Sequence, residues 1–79
     1  MKEIFVVEAG FVFMCDNATL NGTEWTLEGA HVVRRWGTKA GLGQLALSGP
    51  TKETILDPCG MVTVPAGKVL FRLPCTGWL

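Results

Sequence analysis

Residues Glu24 to Gly49 read EWTLEGAHVVRRWGTKAGLGQLALSG, and the fold turns on where this stretch stops being strand and becomes helix. Residues 24–28 alternate apolar and polar, with Trp25 and Leu27 pointing one way, which is the period of a half-buried strand. Gly29-Ala30 then breaks or bulges the strand. Residues 31–36, HVVRRW, resume it. Successive side chains of a strand alternate faces, so His31, Val33 and Arg35 fall on one side and Val32, Arg34 and Trp36 on the other. Past Gly37 the period changes. The Thr38 hydroxyl is placed to cap a short helix by accepting an amide of its first turn. Leu42, Leu45 and Ala46 recur at helical spacing within 39–48. Gly41 and Gly43 each weaken such a helix by roughly 1 kcal/mol relative to Ala, so it needs tertiary support, or the glycines admit a close approach. Gly49-Pro50 ends it.

On the N-terminal side, residues 3–9 (EIFVVEA) read as a strand whose continuous apolar run predicts burial on both faces. Gly10 permits a bend or bulge. Residues 11–15 continue as strand, with Phe11, Phe13 and Cys15 on one face and Val12 and Met14 on the other. DNATLNGTE is turn-rich, and Asn21-Gly22 signals a hairpin because both residues tolerate positive φ. On the C-terminal side, TKETILDPCG reads as a loop with a short extended piece at 54–56. Residues 61–64 and 68–75 read as strands around Pro65-Ala66-Gly67, with Pro74 suited to an edge or a strand end and Arg72 to a solvent face. The expected fold is mainly β, a small twisted sheet or partly open barrel of five or six strands. One short helix is inserted near residues 39–48, and 1–79 form a single domain.

Composition narrows the function. A chain of 79 residues buries only about 60% of the surface that its unfolded form exposes. Its 48% hydrophobic content is high for so small a body, so some apolar surface is expected to be shared with another copy, as a homo-oligomer. The formal net charge is zero and the pI is near 6.5, which argues against general nucleic-acid binding. No apolar run approaches the roughly eighteen residues of a membrane span. The start, MKEIFVVEAG, lacks the pattern of a signal peptide, so an intracellular protein is expected. Cys15, Cys59 and Cys75 are odd in number and widely spaced, which fits reduced thiols filling apolar holes better than a disulfide framework or a zinc site. The sequons at Asn17 and Asn21 read as turn residues.

Two features carry candidate chemistry. Arg34-Arg35-Trp36 combines planar forks that grip phosphate bidentately with a ring that offers stacking to a base. Arg34 and Trp36 share a face; Arg35 and His31 look the other way, toward an interface. The segment Gly37 to Gly43 holds no phosphate-binding fingerprint, yet Thr38, its backbone amides and Lys39 suit an anion. The bland alternatives stand beside these: Trp36 as packing, the arginines as solvated or paired with Glu, and the glycine run as a tight loop. His31 is the sole histidine, and no Ser-His-Asp or Cys-His set can be argued. Asp16 and Asp57 read as turn-formers. No catalytic residue, metal ligand or cofactor is assigned. Trp25, Trp36 and the terminal Trp78-Leu79 are candidate anchors for a protein contact.

The residues Gly10-Phe11-Val12, Leu27, Gly29-Ala30, Arg34-Arg35, Trp36-Gly37, Leu42, Leu45-Ala46, Gly49 and Pro74-Cys75-Thr76 follow, in order and spacing, the pattern of an uncharacterised family of short tailed-phage proteins, which the chain resembles over nearly its whole length. It departs from that pattern by one aromatic fewer at Trp36 and a longer lead, His31-Val32-Val33, before the arginines. The resemblance brings no established functional residues. It implies a protein in the cytoplasm of an infected bacterial host, and by analogy of class it points to a sponge that sequesters a nucleotide-derived immune signal, a cyclic ADP-ribose relative or cyclic oligonucleotide, without chemistry. The expected ligand-binding residues are Arg34, Trp36, Thr38 and Lys39, with Arg35 and His31 next. The alternatives are a protein-interaction module acting on a host factor or in phage assembly, and a small phosphodiesterase.

Overall fold

The computed structural model describes residues 1–78. Its strands are β1 (Glu3–Val7), β2 (Phe11–Cys15), β3 (Asn17–Asn21), β4 (Glu24–Arg35), β5 (Ile55–Pro65) and β6 (Val69–Pro74), with one helix, α1 (Leu42–Ser48). All six strands belong to one antiparallel sheet. The protein is mainly β with one short helix, and the sheet curls into a partly open barrel, as the strand count and spacing predict.

The curl has a local cause. Met14 faces His31 and Asn17 faces Glu28 without a change of register. β2 and β3 are therefore two halves of one strand, interrupted at Asp16, whose amide still donates to the Glu28 carbonyl. Beside that interruption β4 carries Gly29 at φ 60, and beside Gly29 β5 carries Gly60 at φ 72. The β4–β5 register slips on both sides of Ala30. Three neighbouring strands thus bend along one crease, because bulges add local twist. A side chain at Gly29 would be strained at φ 60 and would displace the Asp16 carboxylate, so glycine favours the crease there.

Beyond the crease the arm formed by β3, the first half of β4 and the second half of β5 folds back over the sheet. Phe5 sits opposite Phe13 and Trp25 opposite Leu20. Leu20 is seven residues beyond Phe13, so in a flat sheet Trp25 would lie roughly 20 Å along the strand direction from Phe5. Their ring centroids are instead 5.2 Å apart, edge to face. The fold-over also explains how only Ala66–Lys68 can join Pro65, which pairs with Glu24, to Val69, which pairs with Val7.

Two cores result, one on each face. Phe5, Val7, Cys15, Leu27, Ala30 and Val64 are buried inside the fold-over. Ile4, Val12, Met14 and Val33 lie on the outer face under Leu42, Leu45 and Ala46 of α1. The alternation read for residues 11–15 and the two-sided burial read for the first strand are borne out, although that strand ends at Val7 rather than residue 9. A seven-residue helix is marginal alone, and burial of Leu42 and Leu45 at about 1.5–3 kcal/mol each holds it. Trp78 reinforces it by donating Nε1–H to the Leu45 carbonyl at 2.7 Å.

Several sequence expectations need correction. Gly10 does not bend one strand; Glu8–Gly10 is a reversal, with Ala9 at φ 70 and Gly10 at φ 82, concealed by apolar residues on both sides. The hairpin expected at Asn21-Gly22 closes one residue later, since Asn21 pairs with Glu24. With Gly22 at φ 63 as its first loop residue it has the II′ pattern, and residues 17–21, read as turn, are strand. TKETILDPCG is not mainly loop: β5 runs through Asp57, Pro58 and Gly60, tolerating Pro58 because β5 is an edge strand. β5 and β6 do not pair across Pro65-Ala66-Gly67. The helix starts at Leu42, not residue 39. Trp78 docks on its own chain, and Leu79 lies outside the described residues.

Arg72 is exposed, as expected of a solvent-face residue, and is also engaged by its neighbours. Its guanidinium bonds Glu3 Oε2 through Nε and Nη2 at 3.0 and 2.9 Å. It lies 4.4 Å over the Trp25 ring and 5.5 Å from that of Phe5. The residue that interrupts the apolar run of β6 ties that edge strand to the folded-over arm.

Candidate functional site

The sequence-predicted residues lie where β4 leaves the sheet. Arg34 and Arg35 close the strand. Trp36 to Gly41 lead to α1, and residues 50–54 return the chain to β5. The two connections are stitched together: Thr54 Oγ1 donates to the Trp36 carbonyl and Thr51 Oγ1 to the Gly37 carbonyl, both at 2.7 Å. Gly37, at φ 70, lets them touch, since a Cβ there would sit 2.5 Å from the Glu53–Thr54 peptide.

The six candidates do not converge. Arg34 is forked onto Asp57, with Nε to Oδ2 at 2.8 Å and Nη2 to Oδ1 at 3.4 Å. Its Nη1 has no partner among the described residues. Asp57, read as a turn-former, is therefore a half-buried strand residue that orients the guanidinium. Arg35 points to the other face, 3.9 Å from Glu53. His31 shares the face of Arg35 but sits at the crease, with Nδ1 3.2 Å from the Gly29 carbonyl oxygen. It is four residues, or about 13 Å of strand, from Arg35. The Trp36 side chain is 41% exposed and its ring borders Gly41, so it is surface rather than core. Thr38 does not cap α1 through an amide; its hydroxyl donates to the Gly41 carbonyl, and the Ala40 amide is met instead by Gln44 Oε1. Gly43 faces open space and admits no close approach by the chain itself. Lys39 is exposed and, with Lys52, makes no ion pair among the described residues.

Charge is distributed unevenly although the whole chain is neutral. Between Arg34 and Asp57 lie four basic side chains and two acidic ones; the rest of the chain carries three basic and five acidic. The end of the molecule holding the β4–α1–β5 connections is thus cationic.

The sequence reading missed a pair of aromatics at this same end. Val12 and Met14 of β2 face the α1 side, so Phe11 and Phe13 face the other. Phe13 is opposite Val32, which places Phe11, Phe13, Val32 and Arg34 on one face of two adjacent strands. The Phe11 and Phe13 rings are nearly parallel, 13° between planes with centroids 6.3 Å apart. Phe13 rests on the inner core, and Phe11 is 56% exposed. Strict alternation after a glycine turn is the signal that locates them; their exposure is a tertiary matter, because the folded-over arm stops short of Phe11.

The remaining titratable features belong to the frame. Burial pushes the Cys15 and Cys75 thiols up to about 11, so they are neutral packing groups, whereas Cys59 is exposed on β5 and fills no hole. A hydrogen bond from Lys2 holds the Asp16 carboxyl below the usual carboxylate range. Among the described residues no pocket and no cluster of three or more metal-ligating side chains is found. No helix among the described residues is long and apolar enough to cross a membrane. Comparison with family models, with curated proteins and with solved structures finds no match to this chain.

Proposed function

We propose that this protein binds a nucleotide-like anion at the cationic end of the half-barrel and holds it without chemical change. In the setting that the phage resemblance implies, the cytoplasm of an infected bacterial host, it would sequester a nucleotide-derived immune signal of the cyclic ADP-ribose or cyclic oligonucleotide class. The observation that carries this reading is the coincidence, on a chain of zero net charge, of a local cationic excess with exposed rings. Arg34 is held ready by Asp57, Lys39 and Lys52 have no acidic partner among the described residues, and Trp36 and Phe11 are open to solvent. A charge-assisted hydrogen bond contributes about 1.5–3 kcal/mol, so two such bonds and one stacked ring suffice for useful affinity. The test is a thermal-shift and calorimetric screen against cyclic ADP-ribose, ADP-ribose and cyclic di- and trinucleotides, with mass spectrometry of the compound released by denaturation. The expected result is stabilisation by one of them, its recovery unaltered, and weaker binding by Arg34→Gln and Lys39→Ala. Recovery of a cleaved compound would make the protein a phosphodiesterase, and no binding at all would remove the reading.

A second reading, contact with protein, is favoured by a different surface. Leu70 and Phe71 are more than half exposed on β6, an edge strand that among the described residues pairs with β1 alone. Edge strands with apolar side chains are templates for pairing with another chain, and a second copy is the simplest partner. Sedimentation of the wild type against Phe71→Lys tests this. A dimer that the substitution dissolves supports self-association, and a monomer at high concentration excludes it.

A further inference from the structure

We infer that Phe11, parallel to Phe13 and on the same sheet face as Arg34, is a stacking platform for a nucleobase. The inference rests on the reading above that the ligand is nucleotide-like, and adds the subsite that would recognise its base. Phe11 follows a tight turn, contributes to neither core, and leaves more than half of its surface in water. The ring lies nearly parallel to that of Phe13, which is anchored on the inner core, so the two present flat faces in the same direction along the strand.

The neighbouring charge selects the class of flat ring. Arg34 stands on the same face of the adjacent strand, clamped by Asp57 through Nε and Nη2. Nη1 and the face of the guanidinium are left for a ligand, and the surrounding connections are cationic. An apolar protein side chain would gain from Phe11 but would leave those cations unanswered. A base carrying a phosphate satisfies both, by stacking on the ring and by accepting hydrogen bonds from the fork. Every base has a π-face, so Phe11 would supply affinity for a base in general; discrimination among bases would fall to polar groups around it.

The test titrates the intact chain with ADP-ribose and 3′,3′-cyclic di-AMP, and with ribose 5-phosphate and pyrophosphate as probes without a base. Adenine proton shifts are recorded alongside affinity. Stacking on Phe11 moves the adenine protons upfield in the wild type. Phe11→Ala should bind the adenine compounds at least tenfold more weakly, lose the upfield shift, and bind pyrophosphate as before. Phe11→Leu keeps the apolar bulk and guards against a folding defect; lacking a flat ring, it should also lose the shift. If the wild type binds an adenine compound and both variants bind it equally well with the shift intact, the platform is overturned while nucleotide binding stands. If the wild type binds pyrophosphate but gains nothing from adenine, the base subsite is overturned and anion binding stands. If the wild type binds none of the probes, both readings fall together.

Discussion

Replacing Gly29 by Ala tests whether the crease builds the fold. Gly29 holds φ 60, and an L-residue in the left-handed region is destabilised by about 1–2 kcal/mol. A stiffer unfolded chain offsets about 0.4–1 kcal/mol of that. The new methyl carbon would also sit 2.8 Å from the Asp16 carboxyl carbon, and closer still to one of its oxygens. Asp16 must therefore swing away from Lys2, forfeiting an exposed ion pair of about 0.2–1 kcal/mol and pushing on a corner that three strands share. The net destabilisation is about 1–3 kcal/mol. At roughly 4–8 °C per kcal/mol for a domain of this size, that is a fall in Tm of about 5–20 °C. Urea unfolding followed by tryptophan fluorescence measures it, because Trp25 reports on the folded-over arm. The same substitution on an Asp16→Ala background isolates the collision. There the loss should shrink by about 0.5–1 kcal/mol, the size of coupling expected between touching side chains. A neutral or stabilising Gly29→Ala, or an equal loss in both backgrounds, would refute the argument that Asp16 passing over a bare glycine sets the bend.

Three further outcomes follow from the frame. Arg72→Ala removes a forked pair with Glu3 and a cation–π contact with Trp25, and should destabilise by about 2 kcal/mol. Arg72→Lys keeps the charge but not the planar fork and should recover no more than about half of that in the same unfolding assay. Thiol labelling of the native protein at pH 7 should modify Cys59 rapidly and leave Cys15 and Cys75 untouched until denaturant is added. Early labelling of either would show that its core is open. Both buried thiols ionise more readily unfolded than folded, so their contribution to stability is complete below the ordinary thiol range and is lost as pH rises toward about 11. Urea midpoints from pH 8 to 11 should fall over that interval, and Cys75→Ala should flatten the fall.

Local chemistry was legible in the sequence wherever one segment decides its own conformation. Alternation assigned Val12 and Met14 to one face and Phe13 and Cys15 to the other. Gly29-Ala30 signalled a break or bulge, and Leu42, Leu45 and Ala46 the buried side of a short helix ended by Gly49. What escaped were features that depend on a partner strand. Asn17–Asn21 is polar and turn-like, and is a strand because β4 supplies its ladder. Ile55–Pro65 contains Pro58 and Gly60, and is a strand because it needs a partner on one side only. The candidate site divides in the same way. The basic and aromatic residues around Trp36 stand out in the sequence, but the pairing of Arg34 with Asp57 and the placing of Phe11 on the same sheet face require β2, β4 and β5 to be assembled.

The sequence by itself determined a mainly β chain with one inserted helix, since the period of apolar residues and the positions of glycine act over a few residues at a time. Only the tertiary structure decided that three strands bend at one line, that Trp25 returns to Phe5, and that Arg72 lies over the Trp25 ring. Each of these brings together residues far apart in the chain, and their contacts exist only after the crease at Asp16, Gly29 and Gly60 has folded the sheet over itself.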